Sequence, residues 1–162
     1  TWAAVAAMPT ARWGAGAAVL DGKIYVVGGK SGSSINTVEV YDPATNAWSA
    51  EPPMPMARAY MGAAVLDGKL YVAGGVGAEK DLSSMEVFDP QTNAWTELAP
   101  MGTARREFQL VAARGKLYVA GGFSGDTYTS LSSVEAYDPQ QNRWETAAPL
   151  SSPVSSHAMV AL

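Results

Sequence analysis

Asp21-Gly22-Lys23-Ile24-Tyr25-Val26-Val27-Gly28-Gly29 is the stretch that decides the fold. Asp-Gly ahead of an apolar, β-branched run reads as a tight hairpin, because glycine accepts φ > 0 without steric cost. Lys23–Val27 is then a strand, and Gly28-Gly29 closes it where the chain needs unusual dihedrals and a close backbone approach. Upstream, Gly14-Ala15-Gly16-Ala17-Ala18-Val19-Leu20 is the small, apolar strand that enters the hairpin. Downstream, Thr37-Val38-Glu39-Val40-Tyr41 is a third strand, stopped by Asp42-Pro43 because proline gives a ladder no N–H. A short fourth strand centres on Trp48.

The same unit recurs. Gly-Gly pairs stand at 28–29, 74–75 and 121–122, spaced by 46 and 47, each with a tyrosine three residues earlier: Tyr25, Tyr71 and Tyr118. The triplets Tyr41-Asp42-Pro43, Phe88-Asp89-Pro90 and Tyr137-Asp138-Pro139 follow. Trp48, Trp95 and Trp144 stand five residues after each proline, and Trp2 sits 46 before Trp48. Glu39, Glu86 and Glu135 precede the triplets by two. Asp67-Gly68 repeats the hairpin turn, and Arg114-Gly115 is a weaker version of it. No stretch carries helical periodicity over ten residues. A four-stranded period of this length with one glycine pair is that of a propeller blade.

The residues resemble the kelch family: Gly-Gly ending the second strand, Tyr-Asp-Pro on the third, Trp in the fourth. The Trp-Asp and Gly-His pairs of the other large propeller family do not occur. The resemblance implies an all-β, kelch-type β-propeller of three consecutive four-stranded antiparallel blades, at 8–52, 53–99 and 100–148. An orphan fourth strand is expected at 1–7 and an orphan first strand at 149–162. Closed propellers typically need four to eight blades, so three make a partial propeller, about half of a six- or seven-blade ring. Its open flanks would expose apolar faces and sheet edges. The remaining blades are expected from the same longer chain, from a second copy or from another protein. The orphan strands favour the first, because in a two-copy ring each would duplicate a strand already present.

Charge and composition narrow the function. A net charge of −4 gains no counterion-release affinity from phosphates, so a nucleic-acid partner is not expected. No apolar run reaches the ~18 residues that span a bilayer, and no membrane partner is expected. The absence of cysteine removes disulfides and thiol chemistry and suits a reducing or an oxidising compartment alike, the cytoplasm being the working expectation. A single histidine, His157, builds no multi-histidine metal site, and no cofactor, metal or catalytic residue is expected. Gly14-Ala15-Gly16 lacks the third glycine and the helix of a dinucleotide loop. Gly29-Lys30-Ser31 mimics the end of a phosphate loop, but Ile24 stands where its first glycine belongs.

Kelch-like propellers commonly meet partners at one end of the channel, and the resemblance implies a protein or peptide partner there. The in-register Arg12, Arg58 and Arg105 are expected as structural ion partners. One residue on stand Trp13, Ala59, Arg106 and Ser155; two on stand Gly14, Tyr60, Glu107 and Ser156. Positions that diverge on a repeating scaffold are free to specify a ligand. Trp13, Tyr60, Arg106, Glu107 and Ser156 are therefore the candidate contacts, joined by Phe123 and Tyr128 of the longest second-to-third-strand loop, where aromatic anchors gain most. The expected function is a non-enzymatic interaction scaffold. The alternatives are a small-ligand kelch enzyme such as a sialic-acid mutarotase, and a structural subunit of a large assembly.

Overall fold

The computed structural model describes residues 1–161, which contain strands and no helix. The first blade holds β1 (Gly16–Leu20) and β2 (Lys23–Val27), a small loop hairpin of β3 (Lys30–Ser31) and β4 (Ser33–Ser34), then β5 (Val38–Asp42) and β6 (Ala47–Glu51). The second holds β7 (Gly62–Leu66), β8 (Lys69–Ala73), β9 (Met85–Asp89) and β10 (Ala94–Leu98). The third holds β11 (Leu110–Ala113), β12 (Lys116–Ala120), the loop hairpin β13 (Phe123–Ser124) and β14 (Thr129–Ser130), β15 (Val134–Asp138) and β16 (Arg143–Ala147). Each blade is an antiparallel meander in sequence order, and the sheets are open.

The hairpin turns follow from their residues. Asp21 and Gly22 have φ of 50° and 74°, and Arg114 and Gly115 have 50° and 74°. Positive φ at both central positions is the type I′ turn whose twist matches the flanking strands. Arg114 thus makes the turn that Asp21 and Asp67 make elsewhere, without their ease in the left-handed region.

The core lies between blades. Leu20, Tyr25, Val27 and Val40 of the first blade pack on Met61, Leu70, Val72 and Phe88 of the second. Tyr71, Met85 and Val87 of the second pack on Phe108, Leu110, Leu117 and Tyr137 of the third. Strands β1, β7 and β11 lie side by side along the inner edge. The glycine pairs permit that approach: a Cβ on Gly28 would sit 2.4 Å from the Arg58 carbonyl oxygen, and one on Gly74 2.7 Å from that of Arg105. Each fourth-strand tryptophan is half-buried, stacks on its blade's Tyr41, Phe88 or Tyr137 at 5.3 Å, and reaches the preceding segment. Trp95 Nε1 donates to the Pro52 carbonyl and Trp144 Nε1 to that of Ala99, each at 2.9 Å. Burial pushes the Tyr137 phenol up to about 12, so it stays the donor to Asn142 at 2.8 Å.

The three arginines are ion partners, as expected, with their side chains buried. Arg58 donates to the Gly74 and Ser84 carbonyls at 3.0 Å and to Glu86 Oε1 at 2.8 Å. Arg12 does the same with Gly28, Thr37 and Glu39, and Arg105 with Gly121, Ser133 and Glu135. One guanidinium therefore ties the exit of the second strand to the start of the third. Burial lowers the Arg58 pKa and raises that of Glu86, so desolvation outweighs the attraction between them.

Both terminal segments differ from regular strands. Ala6 donates to Asn46 Oδ1 at 2.8 Å and accepts from Trp48 Nε1 at 2.9 Å, the contact Pro52 and Ala99 make for later blades. Residues 1–7 nevertheless carry no ladder, and Trp2 is fully exposed. At the other end the Val154 carbonyl accepts from Gly122 at 2.8 Å and Val154 bridges Leu131, yet residues 155–161 form no β-ladder; Leu162 lies outside the described residues. A third strand beside the first segment and a second strand beside the last are needed to form ladders, and the described residues hold neither.

Candidate functional site

Around the inner edge, the chain turns sharply two residues after each of Arg12, Arg58 and Arg105, and two after Val154. Gly14, Tyr60, Glu107 and Ser156 all take the left-handed conformation, with φ of 63°, 56°, 58° and 53°. Only the first is glycine. A side chain held there costs about 1–2 kcal/mol, so Tyr60 and Glu107 are positions where the fold tolerates strain.

Those corners are wired to one another. Tyr60 N–H donates to the Gly14 carbonyl at 2.6 Å, Glu107 N–H to that of Tyr60 at 2.9 Å, and Ser156 N–H to that of Glu107 at 2.8 Å. The relay steps from blade to blade around the channel mouth and fixes four side-chain positions on one rim. Residues one place earlier are pinned against the loop that follows Gly-Gly, by the bridges Trp13–Lys30, Ala59–Val76 and Arg106–Phe123.

The structure thus brings Trp13, Tyr60, Arg106, Glu107, Phe123 and Ser156 to one mouth, with Tyr128 at the tip of the adjoining loop. Trp13 is 57% and Tyr128 82% exposed. Trp13 meets Tyr60 edge-to-face at 5.6 Å, and Lys30 Nζ lies over both rings at 5.5 and 5.9 Å. Arg106 lies over Phe123 at 4.8 Å and pairs with Asp81 at 2.6 Å. Asp81 also accepts from the Gly125 N–H, so one buried carboxylate clamps the loops of the second and third blades together. Ser156 Oγ donates to Glu107 Oε2 at 2.6 Å.

Two clefts open on this face. Tyr60, Glu107, Phe108, Gln109, Ser156 and His157 line one of about 430 Å³. Glu79, Lys80, Asp81, Arg106, Asp126 and Tyr128 line another of about 410 Å³. Sequence reasoning missed Lys30, Asp81, Gln109 and the placement of His157 in the first cleft. Gln109 had a visible signal, since it replaces the glycine of Gly16 and Gly62. So did His157, which stands in the register of Met61 and Phe108 and lies against Gly121 as they lie against Gly28 and Gly74.

The family model described as the KLHDC2/KLHL20/DRC7 Kelch-repeats domain matches residues 1–162. Among solved structures, that of YjhT is similar, with a TM-score of 0.83 and 25% sequence identity, covering 96% of this chain and 57% of that one. The chain therefore spans a little over half the length of that neighbour. No curated protein sequence matches it. With the whole chain matched by the family model, and the blades built as its repeats require, the protein belongs to the kelch-repeat family.

Proposed function

We propose that the chain is a non-enzymatic scaffold that presents its channel mouth to a protein or peptide partner. The observation that carries this reading is the convergence of divergent side chains from three blades on one rim, held by the Gly14–Tyr60–Glu107–Ser156 relay. The rim carries large exposed aromatics on a rigid frame, the composition of interface hot spots. Kelch repeats as a family serve protein interaction, which agrees with it.

The small-ligand enzyme reading draws on the YjhT likeness and on the Glu107–His157 cleft. An anionic sugar needs a free cationic anchor in that cleft. Arg12, Arg58 and Arg105 are consumed by their glutamates, and Arg106 by Asp81. The supply of arginine therefore favours the scaffold.

Peptides selected from a random displayed library against the full chain provide the test. Their affinity should fall by about tenfold or more in Trp13→Ala or Tyr128→Ala, both exposed enough to leave the fold intact. Binders indifferent to every mouth substitution would refute the reading, as would turnover of a sugar by the purified chain.

A further inference from the structure

The mouth is electrically divided. On the first blade's side Lys30 lies over Trp13 and Tyr60, with no carboxylate within ion-pair distance among the described residues. Over the second and third blades the balance reverses. Glu79, Asp81, Glu107 and Asp126 stand there against Lys80 and Arg106. Arg106 pairs with Asp81 at 2.6 Å and stands at ion-pair distance from Glu107 as well, its Nε 3.6 Å from Oε1 and outside hydrogen-bond reach. Four carboxylates thus share two cations, and among the described residues neither Glu79 nor Asp126 has an ion-pair partner.

The first cleft is also short of partners. Among the described residues, both ring nitrogens of His157 are buried without a hydrogen bond, and neither the Tyr60 hydroxyl nor the Gln109 amide makes one. Glu107 is aimed by Ser156 through Oε2, while Oε1 has no hydrogen bond. A carboxylate with one oxygen open to a hydrogen bond beside Arg106, a carboxamide and a phenol beside an aromatic wall offer acceptors and a π-face. A guanidinium or ammonium group is donor-only and cationic, and it gains from both.

Resting on the reading of the mouth as a partner surface, we infer that this face recognises a basic peptide segment. One arginine or lysine enters the Glu107–Gln109–Tyr60 cleft, and a second basic side chain meets Glu79 and Asp126 beside Tyr128. Lys30 repels the segment from the first blade's corner and so fixes which part of the mouth it crosses.

The probe is the peptide Ac-Gly-Arg-Ser-Arg-Gly-NH2, titrated onto the full chain by calorimetry beside its Glu-for-Arg analogue. The Arg peptide should bind and the Glu peptide should not. Glu107→Gln should weaken binding by about tenfold, with an unchanged melting curve as the fold control. Asp126→Asn should weaken it less, and raising salt from about 0.05 to about 0.5 M should weaken it further. Equal affinity for both peptides, binding untouched by Glu107→Gln, or no binding of the Arg peptide would each overturn the inference. Preference for the acidic peptide, lost in Trp13→Ala, would overturn it while leaving the mouth as a partner surface. Indifference to every mouth variant would remove both.

Discussion

Glu107 occupies a left-handed corner that its chemistry does not favour, and the repeat shows what the backbone prefers there, since Gly14 fills the same position. Glu107→Gly should therefore raise stability by up to about 1 kcal/mol in urea melts while abolishing mouth binding. Destabilisation of more than about 1 kcal/mol would mean that the carboxylate holds the corner together. Arg58 is the opposite case. Its guanidinium serves the Gly74 and Ser84 carbonyls and Glu86 inside a buried interface, so Arg58→Met should cost about 3–5 kcal/mol. At this scale the sequence was informative about role and silent about geometry. The three in-register arginines read as structural ion partners, but that Glu39, Glu86 and Glu135 are the groups they pair with emerges only from the fold. Nothing in Tyr60 or Ser156 by itself announced positive φ, because that conformation is imposed by the blade-to-blade relay and not by the residue. The in-register Gly14 was the one hint. Lys30 and Asp81 escaped notice because their partners, Tyr60 and Arg106, lie 30 and 25 residues away and meet them only once blades are stacked.

Among the elements, turns carry their own tests. Asp42 accepts from the Ala44 N–H, and Asp89 binds Lys69 and the Gln91 N–H; these contacts hold both carboxyls below their ordinary value of 3.8. A depressed folded pKa contributes stability above the unfolded value and loses it as pH falls through the folded one. The acid limb of a pH–stability curve should therefore drop below about pH 4 and flatten in the Asp42→Asn, Asp89→Asn double variant. A limb unchanged by that variant would place the acid-sensitive groups elsewhere. Glu86 works in the other direction, its raised pKa favouring the protonated form in the fold. Trp95→Ala removes a half-buried ring and its bond to Pro52, and a loss of about 2–3 kcal/mol follows. That is less than a fully enclosed tryptophan would cost. Strand order and hairpin type were legible because Asp-Gly, Gly-Gly and Asp-Pro are local backbone statements. The entry strands were read two residues too long at Gly14, where the corner intervenes. Residues 155–161 read as a strand and form none, since pairing needs a neighbour that no local pattern supplies.

For the whole molecule, register again acts as an internal control. Leu70 and Leu117 are 0% exposed where a preceding blade covers them, and Ile24, their counterpart on the first blade, is 37% exposed. Val19 is likewise exposed where Val65 packs against the first interface. The flank of the first blade is a contact surface without its contact. Blades bury apolar area only against one another, so such a flank seeks cover from further blades or from a second copy. Light scattering on the purified 162-residue chain at micromolar concentration measures this directly. Dimers, larger assemblies or concentration-dependent association are the outcome that open flanks demand. A stable, monodisperse monomer across that range would contradict the stacking of blades on which the mouth and its proposed partner both depend.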